Sequence, residues 1–240
     1  MQPASARWSE TGFPSPPPTP GMHVVVNAAM SADGKLSTRR REQVAISGPE
    51  DFDRVDALRA DVDAVMVGVG TVLADNPSLT LDDADRIRER EERGDSPHPA
   101  RVVADSHART PPDAKILDGT AETFVLVAEE EPRGHRKSLE EAGATVVVAG
   151  ENRVWLPDAL PQLESHGVER LMVEGGGELI FSLFEAGLVD ELSVYVAPKI
   201  IGGRDAPTLA DGEGFVDDFP ELALTGVERL DDGVLLRYDC

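Results

Sequence analysis

The chain has 240 residues, of which 40% are hydrophobic, so it is long enough to bury the core of one large domain or two small ones. Its formal net charge of −22 excludes a nucleic-acid surface or an anionic membrane as the main partner, because both require clustered cations. The positive charges comprise 19 arginines and only 4 lysines. This acidic and lysine-poor composition is typical of proteins adapted to a high-salt cytoplasm.

The beginning of the chain differs in composition from the rest. The first twenty residues contain six prolines and lack the apolar run of a signal peptide, so residues 1–21 are predicted to be a flexible tail. Residues 22–240 are predicted to form one cytoplasmic domain. The five histidines show no metal-binding spacing and Cys240 is the only cysteine, so no metal site and no internal disulfide are expected.

Short β-rich segments alternate with helical patterns from residue 23 onward, which predicts a layered α/β domain with a mostly parallel central sheet flanked by helices. Most of these segments are apolar on both faces, as buried parallel strands are. The predicted strands are residues 23–30, 63–69, 100–104, 123–128, 144–149, 169–173 and 191–201. Two more strands, joined at Asp231-Asp232-Gly233, predict an antiparallel hairpin at the C-terminal end of the sheet.

Two segments between the strands carry many charged residues. Residues 48–60 also place Phe52, Val55 and Leu58 at three-residue spacing, which predicts an amphipathic helix. Residues 81–99 lack a comparable apolar pattern and are rich in charges and turn formers. They are therefore predicted to be an exposed excursion of the chain.

The segment VEGGGELIFSLF, residues 173–184, is the strongest local motif. A predicted strand ends at Glu174, three glycines follow, and a helix begins at once and stops at Gly187. The glycines expose backbone N–H groups and the helix N-terminus adds partial positive charge, so this turn is suited to a pyrophosphate. The alternative is a tight turn without a ligand.

The segment GVGTVLADNP, residues 68–77, follows the second predicted strand. Gly68 and Gly70 have the spacing of the first two glycines of a dinucleotide-binding G-x-G-x-x-G motif, but Leu73 occupies the third position. This is therefore not a Rossmann motif, and Leu73 is predicted to pack into the core. Because ligands bind at the carboxyl ends of parallel strands, we expect the polar groups after several strands to converge on one cleft.

These motifs together resemble the riboflavin-pathway reductase family. The matching segments are NAAMSADGK (27–35), ISGPED (46–51), 58–80, RVVADS (101–106), 173–192 and APKIIGG (197–203). The resemblance implies a dihydrofolate-reductase-like fold and reduction of 2,5-diamino-6-ribosylamino-4(3H)-pyrimidinone 5′-phosphate by NADPH or NADH. The H-x-E and P-C-x-x-C signature of a zinc deaminase is absent from the sequence, so the chain is similar to the stand-alone archaeal or fungal type. Its composition favours the archaeal side.

The resemblance also implies a set of site residues. The cofactor-binding positions are Thr71, Asp75, Ser106, Gly175, Gly176, Gly177 and Glu178. The substrate-binding positions are Asn27, Ser47, Arg59, Leu79 and Glu174. Asp75 is the candidate catalytic residue, although Asp-Asn-Pro is also a turn signal and the side chain could serve only as a cap. Ser106 with Arg109 is a candidate site for the cofactor 2′-phosphate.

The chain departs from its relatives at positions that bear on anion binding. Asn27 stands where bacterial relatives carry Lys, and Asp82 lies where many carry an Arg that would contact the substrate phosphate. Many relatives also have Thr at the position of Glu178. We therefore expect Arg59, Lys35 or another arginine to supply the missing phosphate contact.

The implied reaction is hydride transfer from the nicotinamide ring to C1′ of the ring-opened ribosylamino group, with a proton donor nearby. A homodimer, formed through the C-terminal antiparallel strands, is implied as well. Two alternatives remain open from sequence alone. One is a reductase of the same fold that acts on a dihydropterin, and the other is a nucleotide-binding module without catalysis.

Overall fold

The structure is a computed structural model that describes residues 21–42, 44–130 and 133–240, without the side chain of residue 133. Apart from Gly21, the predicted tail of residues 1–21 lies outside the described part. The division into a tail and a domain of residues 22–240 therefore stays a prediction.

A nine-stranded sheet runs through the described residues in the order β5-β4-β3-β2-β6-β1-β7-β9-β8. Its strands are β1 (His23–Ser31), β2 (Ala64–Gly68), β3 (Ala100–Ala104), β4 (Thr123–Val127), β5 (Thr145–Val148), β6 (Arg170–Gly175), β7 (Glu191–Ala197), β8 (Ala223–Leu230) and β9 (Gly233–Asp239). Strands β1 to β7 pair in parallel, and β9 joins β7 and β8 in antiparallel fashion. The predicted mostly parallel sheet with an antiparallel C-terminal hairpin is confirmed.

Helices cover both faces of the parallel strands. They are α1 (Pro49–Ala60), α2 (Val69–Asp75), α3 (Ala84–Arg93), α4 (Arg133–Glu141), α5 (Leu156–Ser165) and α6 (Gly177–Glu185). The segments predicted to be helical at 48–60 and 177–190 form α1 and α6. The chain leaves α6 through Gly187, whose φ of 63° suits glycine.

The core has two layers because successive strand residues point to opposite faces of the sheet. On one face, Val26 and Val173 belong to a cluster that includes Leu163 of α5 and Ile180 of α6. On the other face, the valines at alternate positions of β2 and β3 pack in a second cluster with Leu139 of α4. This arrangement explains why the strands are apolar on both sides.

Helix α1 presents both polar and apolar residues to the protein. Phe52 is 62% exposed, whereas Asp51 and Asp56 are buried at 0% and 7% exposure. Both carboxylates are buried because each is ion-paired, Asp51 with Arg54 at 2.7 Å and Asp56 with Arg86 at 3.0 Å. Leu58 is half-buried against the second core cluster. The predicted helix is present, but the spacing of its apolar residues marks only part of its buried face.

The C-terminal hairpin caps the N-terminus of α1. Asp231 accepts hydrogen bonds from the backbone N–H groups of Glu50 (3.1 Å) and Asp51 (3.0 Å), because the N-cap residue Gly48 has no side chain to do so. A Cβ atom on Gly48 would lie 2.4 Å from the carboxyl carbon of Asp231. The β8–β9 turn is therefore docked directly on α1.

The predicted exposed excursion at residues 81–99 is instead an ordered helix, α3, docked beside α1. The Asp83 side chain caps it by accepting hydrogen bonds from the N–H groups of two first-turn residues, at 2.8 and 3.0 Å. Arg90 is only 5% exposed and donates to the carbonyls of Ala60 (2.8 Å) and Val62 (2.9 Å). Most residues between 82 and 97 are exposed, as predicted, but the helix was not foreseen, because its buried contact is a guanidinium that satisfies backbone oxygens and not an apolar side chain.

Candidate active site

A row of polar side chains crosses the middle strands of the sheet on the face covered by α1. Asn27 on β1 pairs in register with Ser193 on β7. Val26 pairs with Val173 on β6, so the residue after it, Glu174, reaches the level of Asn27. The polar row therefore extends over three adjacent strands near their carboxyl ends, where parallel sheets bind ligands.

Arg54 of α1 links two of the predicted substrate-binding residues. Its guanidinium donates to Oδ1 of Asn27 at 2.8 Å and to Oγ of Ser193 at 3.2 Å. Its Nε donates to Oδ1 of Asp51 at 2.9 Å, and the hydroxyl of Ser47 donates to the other oxygen of the same carboxylate. Asn27 and Ser47 thus belong to one network, and Arg54 is a member that the sequence did not single out.

Arg59 and Glu174 form the central ion pair of the site. Nε and Nη2 of Arg59 donate to the two carboxylate oxygens of Glu174 at 2.6 and 2.7 Å, and Nη1 donates to the carbonyl of Thr80 at 3.0 Å. Burial would lower the pKa of Arg59, but the hydrogen bonds and charge of Glu174 outweigh it and raise this pKa. Both residues were predicted to bind substrate. In this structure they bind each other.

Two leucines near the β2 end lie differently from the sequence expectations. Leu79, a predicted substrate-binding residue, is 3% exposed and packs in the core, so its side chain is not available to a ligand. Leu73 is 50% exposed, and its predicted burial is wrong. Val69 and Val72 form the inward face of the short helix α2 instead, which leaves Leu73 on the outer side.

The predicted glycine turn connects β6 to α6. Gly176 is the N-cap of this nine-residue helix, with a φ of 103°, and no side chain caps the first-turn N–H groups. A Cβ atom on Gly175 would lie 3.8 Å from Oγ1 of Thr71, so two predicted cofactor-binding segments meet here. An uncapped helix N-terminus beside a bare glycine backbone fits the pyrophosphate of a dinucleotide.

The remaining residues of the turn have other surroundings. A Cβ atom on Gly177 would lie 2.5 Å from Oδ2 of Asp211, so this glycine is required by the close approach of the 208–211 segment. Glu178 is 63% exposed and lies 3.5 Å from Nη2 of Arg153. An acid beside a pyrophosphate-binding turn would repel the ligand. Because Glu178 pairs with Arg153 at the surface, its charge is directed away from the turn.

Thr71 and Asp75 both lie on α2, in its first and last turns. A separation of four residues places them on the same side of the helix. Asp75 is exposed, and Asn76 after it adopts the left-handed conformation with a φ of 44°. The predicted catalytic residue is therefore at a helix end at the rim of the cleft.

Ser106 lies further along the carboxyl edge, after β3. Its hydroxyl accepts a hydrogen bond from the backbone N–H of Val154 at 3.0 Å. The neighbouring Asp105 is fully buried and accepts two hydrogen bonds from Thr110, while its Oδ1 has no hydrogen-bond partner among the described residues. Nε of Arg109 is 3.7 Å from that oxygen. Arg109 thus lies beside the residue that precedes Ser106, and the role of the two in binding a 2′-phosphate stays a prediction.

The described ranges contain neither a cluster of metal-binding side chains nor a membrane-spanning helix. Within residues 21–42, 44–130 and 133–240, no three His, Cys, Asp or Glu side chains are grouped to hold a metal ion. None of the helices in these ranges has the length and apolar character needed to cross a membrane.

The sheet order defines a dihydrofolate-reductase-like α/β protein with a glycine turn between β6 and α6. The family model of the RibD C-terminal domain matches residues 22–236 of this chain. The chain therefore belongs to the RibD C-terminal domain family.

Relatives and solved structures agree with this membership. A protein of Archaeoglobus fulgidus is 46% identical over 211 residues, covering 88% of this chain and 94% of that protein. One of Methanothermobacter thermautotrophicus is 44% identical, covering 90% of this chain and 97% of its own length. Both are named 2,5-diamino-6-ribosylamino-4(3H)-pyrimidinone 5′-phosphate reductase. The fold is also that of a pyrimidine reductase-like protein from Corynebacterium diphtheriae, with a TM-score of 0.80, 19% identity and 91% coverage of both chains.

Proposed function

We propose that this protein reduces the ribosyl side chain of 2,5-diamino-6-ribosylamino-4(3H)-pyrimidinone 5′-phosphate to the ribitylamino product, with NADPH or NADH as reductant, in riboflavin biosynthesis. The observation that carries the proposal is the buried Arg59–Glu174 pair beside the glycine turn, at the carboxyl ends of β1, β2 and β6. The two archaeal relatives at 46% and 44% identity bear the name of this reductase.

The residues around α1 would hold the substrate. Arg59 holds the Glu174 carboxylate in place, and the remaining lone pairs of Glu174 can accept hydrogen bonds from sugar hydroxyls. Asn27 and Ser47, held by Arg54 and Asp51, frame the same space. This preorganisation aligns the sugar carbon before reaction, which is a large part of catalysis in such hydride transfers.

The residues of α2 and α6 would hold the cofactor, which supplies the hydride when it is bound. The N–H groups after Gly176 would bind its pyrophosphate, and Thr71 lies against the same turn. Asp75, at the far end of α2, is proposed to hold the proton that accompanies hydride transfer. Its position at the rim of the cleft supports this role.

An assay with the purified protein in molar KCl tests the proposed function. We expect NADPH oxidation that depends on the ribosylamino-pyrimidine phosphate. Glu174→Gln should lower kcat/KM by at least about tenfold, because a neutral amide cannot retain the two-point pair with Arg59. Asp75→Asn should lower kcat in the same assay.

The control for this assay is Glu185→Gln, on the exposed end of α6, which should leave kcat/KM unchanged. Circular dichroism should show that every variant is folded. Absence of turnover by the wild-type enzyme, or turnover of a dihydropterin instead, would refute the assignment.

We further propose that NADPH is the preferred cofactor. Arg109 is 3.7 Å from Asp105, the residue before Ser106, and its side chain is 54% exposed. An exposed guanidinium close in the chain to a proposed ribose-binding serine is suited to a 2′-phosphate. The ratio of kcat/KM for NADPH and NADH tests this preference, and a ratio near one would contradict it.

A homodimer through the C-terminal strands is also proposed. Leu224, Val227 and Val234 lie on one face of β8 and β9 and are 57%, 63% and 39% exposed. Exposed apolar side chains on an edge strand favour association with another copy. We expect the wild type to sediment as a dimer and Val227→Glu as a monomer, whereas a wild-type monomer at micromolar concentration would refute the proposal.

The composition supports an archaeal origin and a high-salt cytoplasm as the working environment. The charge of −22 arises from 45 acidic against 23 basic residues. Concentrated salt would screen the repulsion among these acids.

A further inference from the structure

Most of the cations near the cleft are already engaged by protein oxygens. Arg59 donates to Glu174 and to a backbone carbonyl through three of its nitrogens. Arg54 is engaged by Asp51, Asn27 and a serine hydroxyl. A phosphate could use these groups only by displacing buried partners, which is costly.

The two lysines of this edge are engaged as well. Nζ of Lys35 donates to the carbonyl of Ala206 at 3.1 Å, and Nζ of Lys199 donates to the carbonyl of Ala45. The sequence-based expectation that Arg59 or Lys35 replaces the missing phosphate contact is therefore not favoured by the geometry. The substrate in the proposed function nevertheless carries a phosphate dianion into an acidic protein.

Arg41 is an arginine at this edge whose guanidinium is not engaged in this way. Nη1 of Arg41 lies 3.7 Å from the position that a Cβ atom would occupy on Gly70, in the first turn of α2. The next residue along α2, Thr71, is the one that meets the glycine turn at Gly175. The guanidinium thus lies beside the cofactor-binding motif and next to the opening of the cleft.

The charges around Arg41 leave its guanidinium available. The acidic neighbour Glu42 lies 4.0 Å from Nη1 of Arg40, and within the described part of the chain Arg41 makes no ion pair of its own. Arg41 has a φ of 59°, and its backbone N–H donates to the carbonyl of Thr38 in a tight turn. A non-glycine residue in this conformation is uncommon and is found at functional sites more often than elsewhere.

We propose that Arg41 binds a phosphate group in the cleft through its guanidinium, an inference that rests on the proposed function for the identity of the ligands. A guanidinium can donate two parallel hydrogen bonds to phosphate oxygens. The phosphate belongs either to the substrate, as its 5′-phosphate, or to the cofactor, as its pyrophosphate. Both ligands would reach the region between α2 and the glycine turn.

The test compares Arg41→Asn with Arg40→Asn. Asparagine tolerates the left-handed conformation, so Arg41→Asn removes the guanidinium without adding backbone strain. Dissociation constants for NADPH, NADH and ribose 5-phosphate are measured by equilibrium titration at one fixed KCl concentration, together with KM for the pyrimidine substrate. For Arg41→Asn we expect the affinity for one class of ligand to fall by at least about tenfold. For Arg40→Asn we expect every affinity to change by less than about twofold.

The pattern of losses identifies the phosphate. Weaker ribose 5-phosphate binding and a higher KM, with unchanged affinity for NADPH and NADH, assign Arg41 to the substrate phosphate. Equal losses for NADPH and NADH assign it to the pyrophosphate. Affinities of Arg41→Asn that match those of Arg40→Asn for all three probes overturn the inference.

Failure of the proposed function would give a different result. Wild-type protein that binds NADPH without turning over the pyrimidine refutes the reaction. The titrations with NADPH, NADH and ribose 5-phosphate still decide whether Arg41 is a phosphate ligand in that case.

Discussion

The buried charges of the candidate site are tolerated because each has a geometrically matched partner. Arg59 and Glu174 are 18% and 11% exposed and share two short hydrogen bonds. Arg54, five residues earlier in α1, makes two hydrogen bonds to a single oxygen of Asp51, Oδ1. Removing one member would leave the other unpaired in the protein interior, so each pair behaves as one unit.

The Asp33 carboxylate predicts a pH dependence of stability. It accepts hydrogen bonds from the Ser31 hydroxyl (2.6 Å) and from the N–H groups of Ile201 (3.0 Å) and Gly202 (2.7 Å). The Ser31 hydroxyl first, and then the Ile201 N–H, lower the pKa of Asp33 from 3.8 to about 2. The unfolded state therefore binds the proton more tightly than the folded state does.

The stabilisation from ionised Asp33 is complete above pH 4 and is lost as the pH falls through about 2. We expect Asp33→Asn to lower the free energy of unfolding at pH 6, and the deficit to shrink as the pH approaches 2. Urea unfolding of the wild type and the variant at several pH values measures this difference in the free energy of unfolding. Asp113→Asn, at an exposed position, is the matched control. A deficit that is independent of pH would contradict the linkage.

At the residue scale, local motifs predicted backbone sites better than side-chain partners. The turn at Gly175 and Gly176 has the open backbone that three consecutive glycines imply. The contacts of Arg54 were not predictable, because Asn27 and Ser193 lie far from it in sequence and become neighbours only when β1 pairs with β7. Leu79 illustrates the same limit, since its family position did not reveal that its side chain is buried.

At the scale of elements, the strands were predicted closely because they are uniformly apolar, whereas apolar spacing was a weaker guide to the helices. It described α1 only in part, because the buried face of this helix also contains Asp51 and Asp56. It failed for α3 because Arg90 fills the place of an apolar residue. The spacing of apolar residues predicts only hydrophobic burial. It therefore does not predict a helix that is docked through ion pairs and backbone carbonyls.

Arg90 should therefore be essential for the docking of α3. We expect Arg90→Ala to lower the free energy of unfolding by about 2–4 kcal/mol, because the Val62 carbonyl would lose its charged donor and the Ala60 carbonyl would keep only Arg93. Arg88→Ala on the exposed side of α3 should change it by less than about 0.5 kcal/mol. Denaturant unfolding of both variants measures the difference, and equal values would show that Arg90 does not anchor the helix.

At the scale of the whole molecule, the net charge of −22 opposes the compact state. We expect Tm to rise by about 2–10 °C between 0.1 and 2 M KCl, corresponding to roughly 1–3 kcal/mol of relieved repulsion. Thermal unfolding monitored by circular dichroism measures this change. NaCl at equal ionic strength should act alike if screening is the cause. A Tm that is constant or falls with added salt would contradict the expectation.

The position of β1 within the sheet also determines when the site can assemble on the ribosome. Strand β1 is made first, but its two neighbours are β6 and β7, and the cap of α1 is supplied by Asp231 in the last hairpin. During synthesis both edges of β1 thus stay unpaired until most of the chain has emerged from the ribosome. Strands β2 to β5 pair with their own neighbours much earlier. We therefore expect the substrate side of the cleft to fold last.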